Sequence, residues 1–160
     1  MYILGVSCYY HDAAAALLQD GKLIAAAEEE RFSRIKHDYG FPKNAIQFCL
    51  DQAALKGRDL DYVVFFEKPF RKFDRILMST LQTYPRSWKV FRESMISWMI
   101  DKLWVGTTLQ SELGVSKDKL LFCEHHLSHA ASAYLCSPFN ESARWRWTTF
   151  RSSWAGPPNT

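Results

Sequence analysis

The chain has no C-x-x-C pair. Its four cysteines stand at 8, 49, 123 and 136, a spacing that excludes a thioredoxin-like redox motif and a paired-cysteine zinc site. It opens on MYILGV without a basic, apolar leader, and its most membrane-like stretch, residues 95–105, is interrupted by Asp101 and Lys102. Such a run is too short and too charged to span a bilayer. The expectation is a reduced, cytoplasmic protein with no membrane partner. A working surface of one charge sign is missing too. Residues 1–142 carry 17 basic and 17 acidic side chains, and the remaining excess is three arginines, with no acid, in the last 18 residues. Charge confined to a tail gives no footprint for a nucleic acid, so none is expected as a partner. There is no internal repeat.

What is present is enough for one domain. A chain of 160 residues with 48% hydrophobic and 23% charged side chains can bury a core. Residues 2–7, 13–18 and 22–27 read as three short strands, the last two joined by Asp20-Gly21. Asp-Gly between apolar runs signals a hairpin, because its turn needs positive φ at both central residues. The alanines argue for helix instead, and turn chemistry is taken to prevail over propensity. Pro42 opens a helix whose apolar positions Ile46, Cys49, Leu50, Ala53 and Ala54 share one face.

Residues 62–66 form a continuous β-branched and aromatic run, expected to be a strand covered on both faces of a parallel sheet. Two helical stretches follow, one carrying Phe70, Phe73, Ile76, Leu77 and Leu81, the other Trp88, Phe91, Met95, Trp98 and Met99, separated at Pro85. Both stripes read as core. Residues 120–123 make another short strand, and a helix runs from His125 through Tyr134. The order βββαβααβα points to an α/β layer fold.

Three clusters could carry chemistry. In Glu124-His125-His126-Leu127-Ser128-His129, three of the five histidines fall within five positions. Residues four apart share a helix face, so His125 and His129 can aim at one metal ion, with His126 turned by about 100°. Imidazole suits zinc, iron or manganese, and two ligands leave such a site incomplete, so a carboxylate must come from elsewhere. This is not H-E-x-x-H, because no glutamate stands between the paired histidines. A strand-to-helix junction with purely local hydrogen bonds is the alternative. The second cluster, Tyr9-Tyr10-His11-Asp12, lies beyond the carboxyl end of a strand, a favoured ligand position in α/β sheets; an Asx-type turn is the other reading. The third is the run Glu28-Glu29-Glu30-Arg31-Phe32-Ser33-Arg34-Ile35-Lys36-His37. A charge run by itself is a solvated face. Its sequel, Asp38-Tyr39-Gly40-Phe41-Pro42, puts Lys36 and His37 beside a glycine, where they can grip a phosphate.

Taken together, Gly5-Val6-Ser7, His11-Asp12-Ala13-Ala14-Ala15, the Glu-Glu-Glu-Arg-Phe-Ser-Arg run, Lys36-His37, Gly40-Phe41-Pro42 and the segment from Glu124 to Tyr134 resemble a known family. It is the amino-terminal part of the O-carbamoyltransferases, which include the nodulation-factor and antibiotic carbamoyltransferases. The resemblance runs in order from Met1 to about Ser142. It implies a ribonuclease-H-like, actin-like ATPase lobe related to the tRNA threonylcarbamoyl-transfer proteins, incomplete here, with a mixed sheet and helices packed on it. In the family a further domain makes the carbamoyl-adenylate. The implied reaction joins carbamoyl phosphate and ATP into that adenylate and passes the carbamoyl group to an acceptor hydroxyl. By position, His125 and His129 correspond to the family's metal ligands, for Fe2+ or alternatively Zn2+ or Mn2+, and Mg2+ can accompany the nucleotide. His11 and Lys36 correspond to residues of the transfer site and are the implied catalytic pair. His11, Asp12, Lys36 and His37 are the implied substrate-binding set, and all implied partners are small molecules.

Two departures from the family shape the expectation. Its members are several times longer, and after Ser137-Pro138-Phe139 they continue with an apolar strand, an aspartate and glycines, whereas this chain reads Ala143-Arg144-Trp145-Arg146-Trp147-Thr148. Residues 1–142 are therefore expected to be the family portion, and residues 143–160 a non-family basic tail, in a truncated member that does not catalyse alone. Tryptophan is always TGG and threonine always begins AC, so reading from the third base of each codon turns Trp147-Thr148 into GAC, an aspartate. The tail is accordingly expected to be an out-of-frame translation. Two other readings stand beside this one: a non-catalytic nucleotide-binding or interaction module, and a tRNA threonylcarbamoyl-transfer-like protein. The His11-Asp12 and Lys36-His37 motifs favour the small-molecule family over the latter.

Overall fold

The computed structural model describes residues 1–84, 88, 91–92 and 104–135. Strands β1 (Tyr2–Ser7), β2 (Ala14–Gln19) and β3 (Lys22–Glu28) open the chain, followed by the one-turn helix α1 (Glu30–Ser33) and α2 (Lys43–Gln52). Strand β4 (Tyr62–Phe65) and helix α3 (Pro69–Thr83) come next, then α4 (Val105–Leu113), β5 (Leu120–Phe122) and α5 (His125–Leu135). The sheet order is β3-β2-β1-β4-β5. β1 pairs parallel with β4 and β4 with β5, whereas β2 is antiparallel to both of its neighbours. In this mixed five-stranded sheet β2 alone runs against the rest.

The hairpin forms where the turn chemistry places it. Asp20 and Gly21 have φ of 48° and 80°, which matches the right-handed twist of the strands they join. The alanines of β2 and β3 stay in strand because their alternation fits one face of the sheet. Leu17, Leu4 and Val63 are fully buried and stand opposite one another across three strands, and Ala15, Val6 and Phe65 form the next row. Tertiary burial on a period of two thus overrides alanine's helical preference.

Helix α2 closes this face over β2 and β3, burying Ala45, Ile46, Cys49 and Leu50. It stops at Gln52, earlier than its apolar pattern suggested. Ala54 is exposed at φ 51°, already outside the helix. Helix α4, which the periodicity reading did not pick out, buries Val105, Leu109 and Leu113 at four-residue spacing. A side chain on Gly57 would collide with the carbonyl of Leu113, so the α2-to-β4 connection passes α4 at backbone contact. One on Gly106 would touch Leu120 and Phe122 of β5 at 3.5 Å.

Other expectations change. The run at 62–66 is expected to be covered on both faces; in β4 Val63 and Phe65 are buried, but Tyr62 is 39% exposed and Val64 half-buried. In the first aromatic stripe Leu81 is 64% exposed, and in the second Trp88 is 55% exposed. The side chains of Phe70, Phe73 and Ile76, together with Met95, Trp98, Met99, Cys136 and the tail at 143–160, lie outside the described residues. Among those described, no helix is long and apolar enough to cross a membrane.

Candidate active site

Because β1, β3, β4 and β5 run in one direction, their carboxyl ends meet at one edge of the sheet. Every residue singled out for chemistry follows one of those ends. Residues 8–13 leave β1, residues 29–42 follow β3, Phe66 follows β4, and residues 123–129 follow β5. Such an edge is where α/β sheets present ligand sites, since the loops there diverge and leave backbone groups and side chains free to converge on a guest.

The loops are stitched together by backbone hydrogen bonds. Tyr9 N–H donates to the Tyr39 carbonyl at 2.7 Å, Ala13 N–H to Asp38 at 2.8 Å, and Glu29 N–H to Ala13 at 2.8 Å. Tyr9 and His37 both sit at positive φ, 62° and 56°, a conformation costly for residues with a Cβ and one that recurs at functional loops. Glu29 explains part of the acidic run. Its carboxylate is buried and accepts from the backbone N–H of Asn44 and Ala45 and from the Asn44 amide, at 3.2, 2.8 and 2.6 Å. It thereby supplies α2 with the cap that Pro42 cannot give.

On the β5 side, His125 and His129 stand one turn apart on α5, and their Nε2 atoms approach to 3.2 Å. Ser128 Oγ donates to the carbonyls of His125, at 2.7 Å, and of Phe66, at 3.4 Å, tying the first turn of α5 to the end of β4. Rings surround His125: Phe66 at 5.6 Å, His126 at 5.5 Å and Tyr10 at 5.9 Å between centroids. Tyr10 also lies against His11, the two rings tilted by 58° with centroids 4.0 Å apart, so one aromatic ring links His11 to the histidine pair. On the β3 side, His37 Nδ1 lies 2.9 Å from Asp12 Oδ1, and the His37 backbone N–H donates to Glu30 at 3.2 Å. Lys36, one residue earlier, is exposed and joins none of these bonds.

The geometry therefore groups the sequence-derived residues in two sets. His11, His125 and His129 are connected through Tyr10; Asp12 and His37 pair with each other, and Lys36 adjoins them without touching. Glu30 and Tyr10 were not singled out individually. No sequence signal marks Glu30, because its contacts depend on loops 18 residues before it and seven after.

Comparison with known proteins is decisive for kinship. Residues 2–149 match the carbamoyltransferase amino-terminal family. This chain belongs to that family. An uncharacterized protein of Synechocystis is 46% identical over 171 aligned residues, covering 99% of this chain and 28% of its own length. The nodulation protein NolNO of Sinorhizobium fredii is 36% identical over 140 residues, 84% of this chain and 19% of its own. The chain thus spans less than a third of the length of these two relatives.

Proposed function

We propose that this chain is the amino-terminal part of an ATP-dependent O-carbamoyltransferase and that its sheet edge forms one wall of the transfer site. The reaction would convert carbamoyl phosphate and ATP to carbamoyl-adenylate and carry the carbamoyl group to an acceptor hydroxyl. The sheet, with β2 alone reversed, supports the ribonuclease-H-like, actin-like reading of the lobe. The observation that carries the proposal is the approach of the His125 and His129 Nε2 atoms to 3.2 Å at that edge.

Two imidazole nitrogens bound about 2.05 Å from one tetrahedral zinc stand about 3.3 Å apart. The pair thus fits a shared first-row divalent ion, Fe2+, Zn2+ or Mn2+. Among the described residues no third His, Cys, Asp or Glu joins the two, so a further ligand would have to come from elsewhere. When bound, the metal would supply Lewis-acid stabilisation of phosphate charge. Tyr10 buttresses His11, which can orient the carbonyl or take the acceptor's proton. Lys36, free to swing, offers a point charge to a phosphate, and His37, held against Asp12, stands beside it. Mg2+ would enter with the nucleotide.

The test compares the metal content of freshly purified chain with that of the His125→Ala and His129→Ala variants. Loss of iron or zinc in both variants supports the reading; equal content in all three overturns it. No carbamoyl transfer is expected from this chain alone, and product formed by the purified chain would refute that part.

A further inference from the structure

We propose that β3 pairs antiparallel with β3 of a second copy of this chain, joining the two sheets into one about a two-fold axis. The inference goes beyond the carbamoyltransferase reading and uses none of its residues. Strand β3 ends the sheet order on one side, and among the described residues no strand pairs with its outer side. At seven residues it is much longer than β5, the three-residue strand that ends the other side. The ladder shows which of its backbone groups are open. Glu29 N–H donates to the Ala13 carbonyl at 2.8 Å, so these two residues form a hydrogen-bonded pair, and Ala27 with Ala15 and Ala25 with Leu17 follow in the same phase. Ala26 and Glu28 stand at the intervening positions and direct their N–H and C=O groups outward. A row of such groups on a long outer strand is a template for another strand.

The side chains select a second copy as the occupant. Lys22 opens β3 and Glu28 closes it, both exposed. When the strand pairs with itself about Ala25, Lys22 of each copy faces Glu28 of the other, Leu23 faces Ala27 and Ile24 faces Ala26. Opposite charges directly across two strands stabilise the pair, whereas a parallel arrangement would set Lys22 against Lys22 and Glu28 against Glu28. The phase agrees, because this register brings the outward groups of Ala26 and Glu28 to even-numbered positions of the second strand. Within the described residues Lys22 makes no ion pair, and Glu28 reaches Arg31 at 4.0 Å. Burial argues the same way, since Leu23 is 65% and Ile24 39% exposed on this strand. The ladder with β2 shifts register beside Leu18, leaving Ile24 as an extra residue in β3. A bulge turns an outer strand away from arbitrary partners, and here the symmetric register sets it against the small side chain of Ala26. Because both copies use the same patch, the assembly closes at two. The carboxyl-end edges of the two sheets then point in opposite directions and stay open.

The experiment is sedimentation of the full chain across a concentration series, with amide hydrogen exchange on the same samples. A monomer-dimer equilibrium is expected, and exchange at Ala26 and Glu28 should slow as dimer forms while Ala25 and Ala27, already bonded to β2, stay unchanged. Lys22→Glu and Glu28→Lys, each alone, set like charges against each other and should weaken dimerisation by about tenfold. Mixing those two variants should restore it, because each then meets its complement. Ala26→Pro removes an N–H that β2 does not use, at a position where an outer strand tolerates proline, and should abolish the dimer. A chain monomeric at every concentration would overturn the proposal. So would a dimer that survives Ala26→Pro, or charge variants that fail to recombine on mixing. Exchange measured on the unsubstituted chain decides the matter even if a variant fails to fold.

Discussion

Glu29 and Glu30 are neighbours in the chain and belong to different regions of the molecule. Glu29 points under α2, is 4% exposed and is committed to the first N–H groups of that helix. Glu30 points the other way, into the loops at the sheet edge, where it accepts from the backbone N–H of His37. The same contrast separates the packed face from the edge as a whole. Under α2 and α4, apolar rows such as Leu17, Leu4 and Val63 interlock with nothing exchangeable. At the edge, histidines, carboxylates and Tyr10 are largely exposed and held by backbone bonds more than by burial. Rigidity comes from the core, and the edge borrows it, which lets reactive side chains remain accessible.

The largest effect is expected where the packed face is cut. Leu4→Ala removes a fully buried side chain from the middle of the sheet and should cost about 2–5 kcal/mol in urea unfolding. A cost below about 1 kcal/mol would mean that the face is not the core described.

The two glutamates give the next test. Glu29→Ala leaves the start of α2 without its acceptors and should cost about 1–2 kcal/mol, whereas Glu30→Ala should change stability by less than about 0.5 kcal/mol. Equal effects would erase the distinction between the regions.

Cysteine reactivity sharpens it further. Burial pushes the Cys49 thiol above its ordinary pKa, and its Sγ faces the Ala15 carbonyl at 3.6 Å. In the unfolded chain the thiol ionises first, so the stability it contributes is intact below the ordinary thiol range and declines as pH rises through it. Alkylation followed by mass spectrometry from pH 7 to 10 should modify the half-buried Cys123 well before Cys49.

The smallest effect concerns the hairpin. The terminal ammonium of Met1 is bonded to Asp20 at 2.6 Å, which raises its pKa above the usual amine value. Its contribution is full below about pH 8 and is lost as pH rises through the raised value. Asp20→Asn keeps the left-handed turn and should return the amine titration, followed by NMR, to its ordinary position.

Much of the fold was readable from local chemistry. β1 spans the expected residues, Asp20-Gly21 turns as its φ requirement dictates, and His125 opens a helix that puts His129 on its face. These features depend on neighbours within about seven residues. Helix α4 escaped notice because its Gly-Thr-Thr segment weakens the periodic signal, and packing on β5 and Gly57 supplies what propensity lacks. Family kinship was also legible, since several ordered motifs carried it.

The sequence by itself determined periodicity, turns, capping partners within reach and the motifs of a carbamoyltransferase. It could not say which member of a charged run would be buried, nor that Asp12 would meet Glu30 and His37. Those outcomes depend on strand order. Once β1, β3, β4 and β5 run parallel, their carboxyl ends share an edge, where Asp12 comes within reach of Glu30 and His37 and Tyr10 within reach of His125. Only long-range pairing of strands, driven by burial of one sheet face, brings such distant residues together.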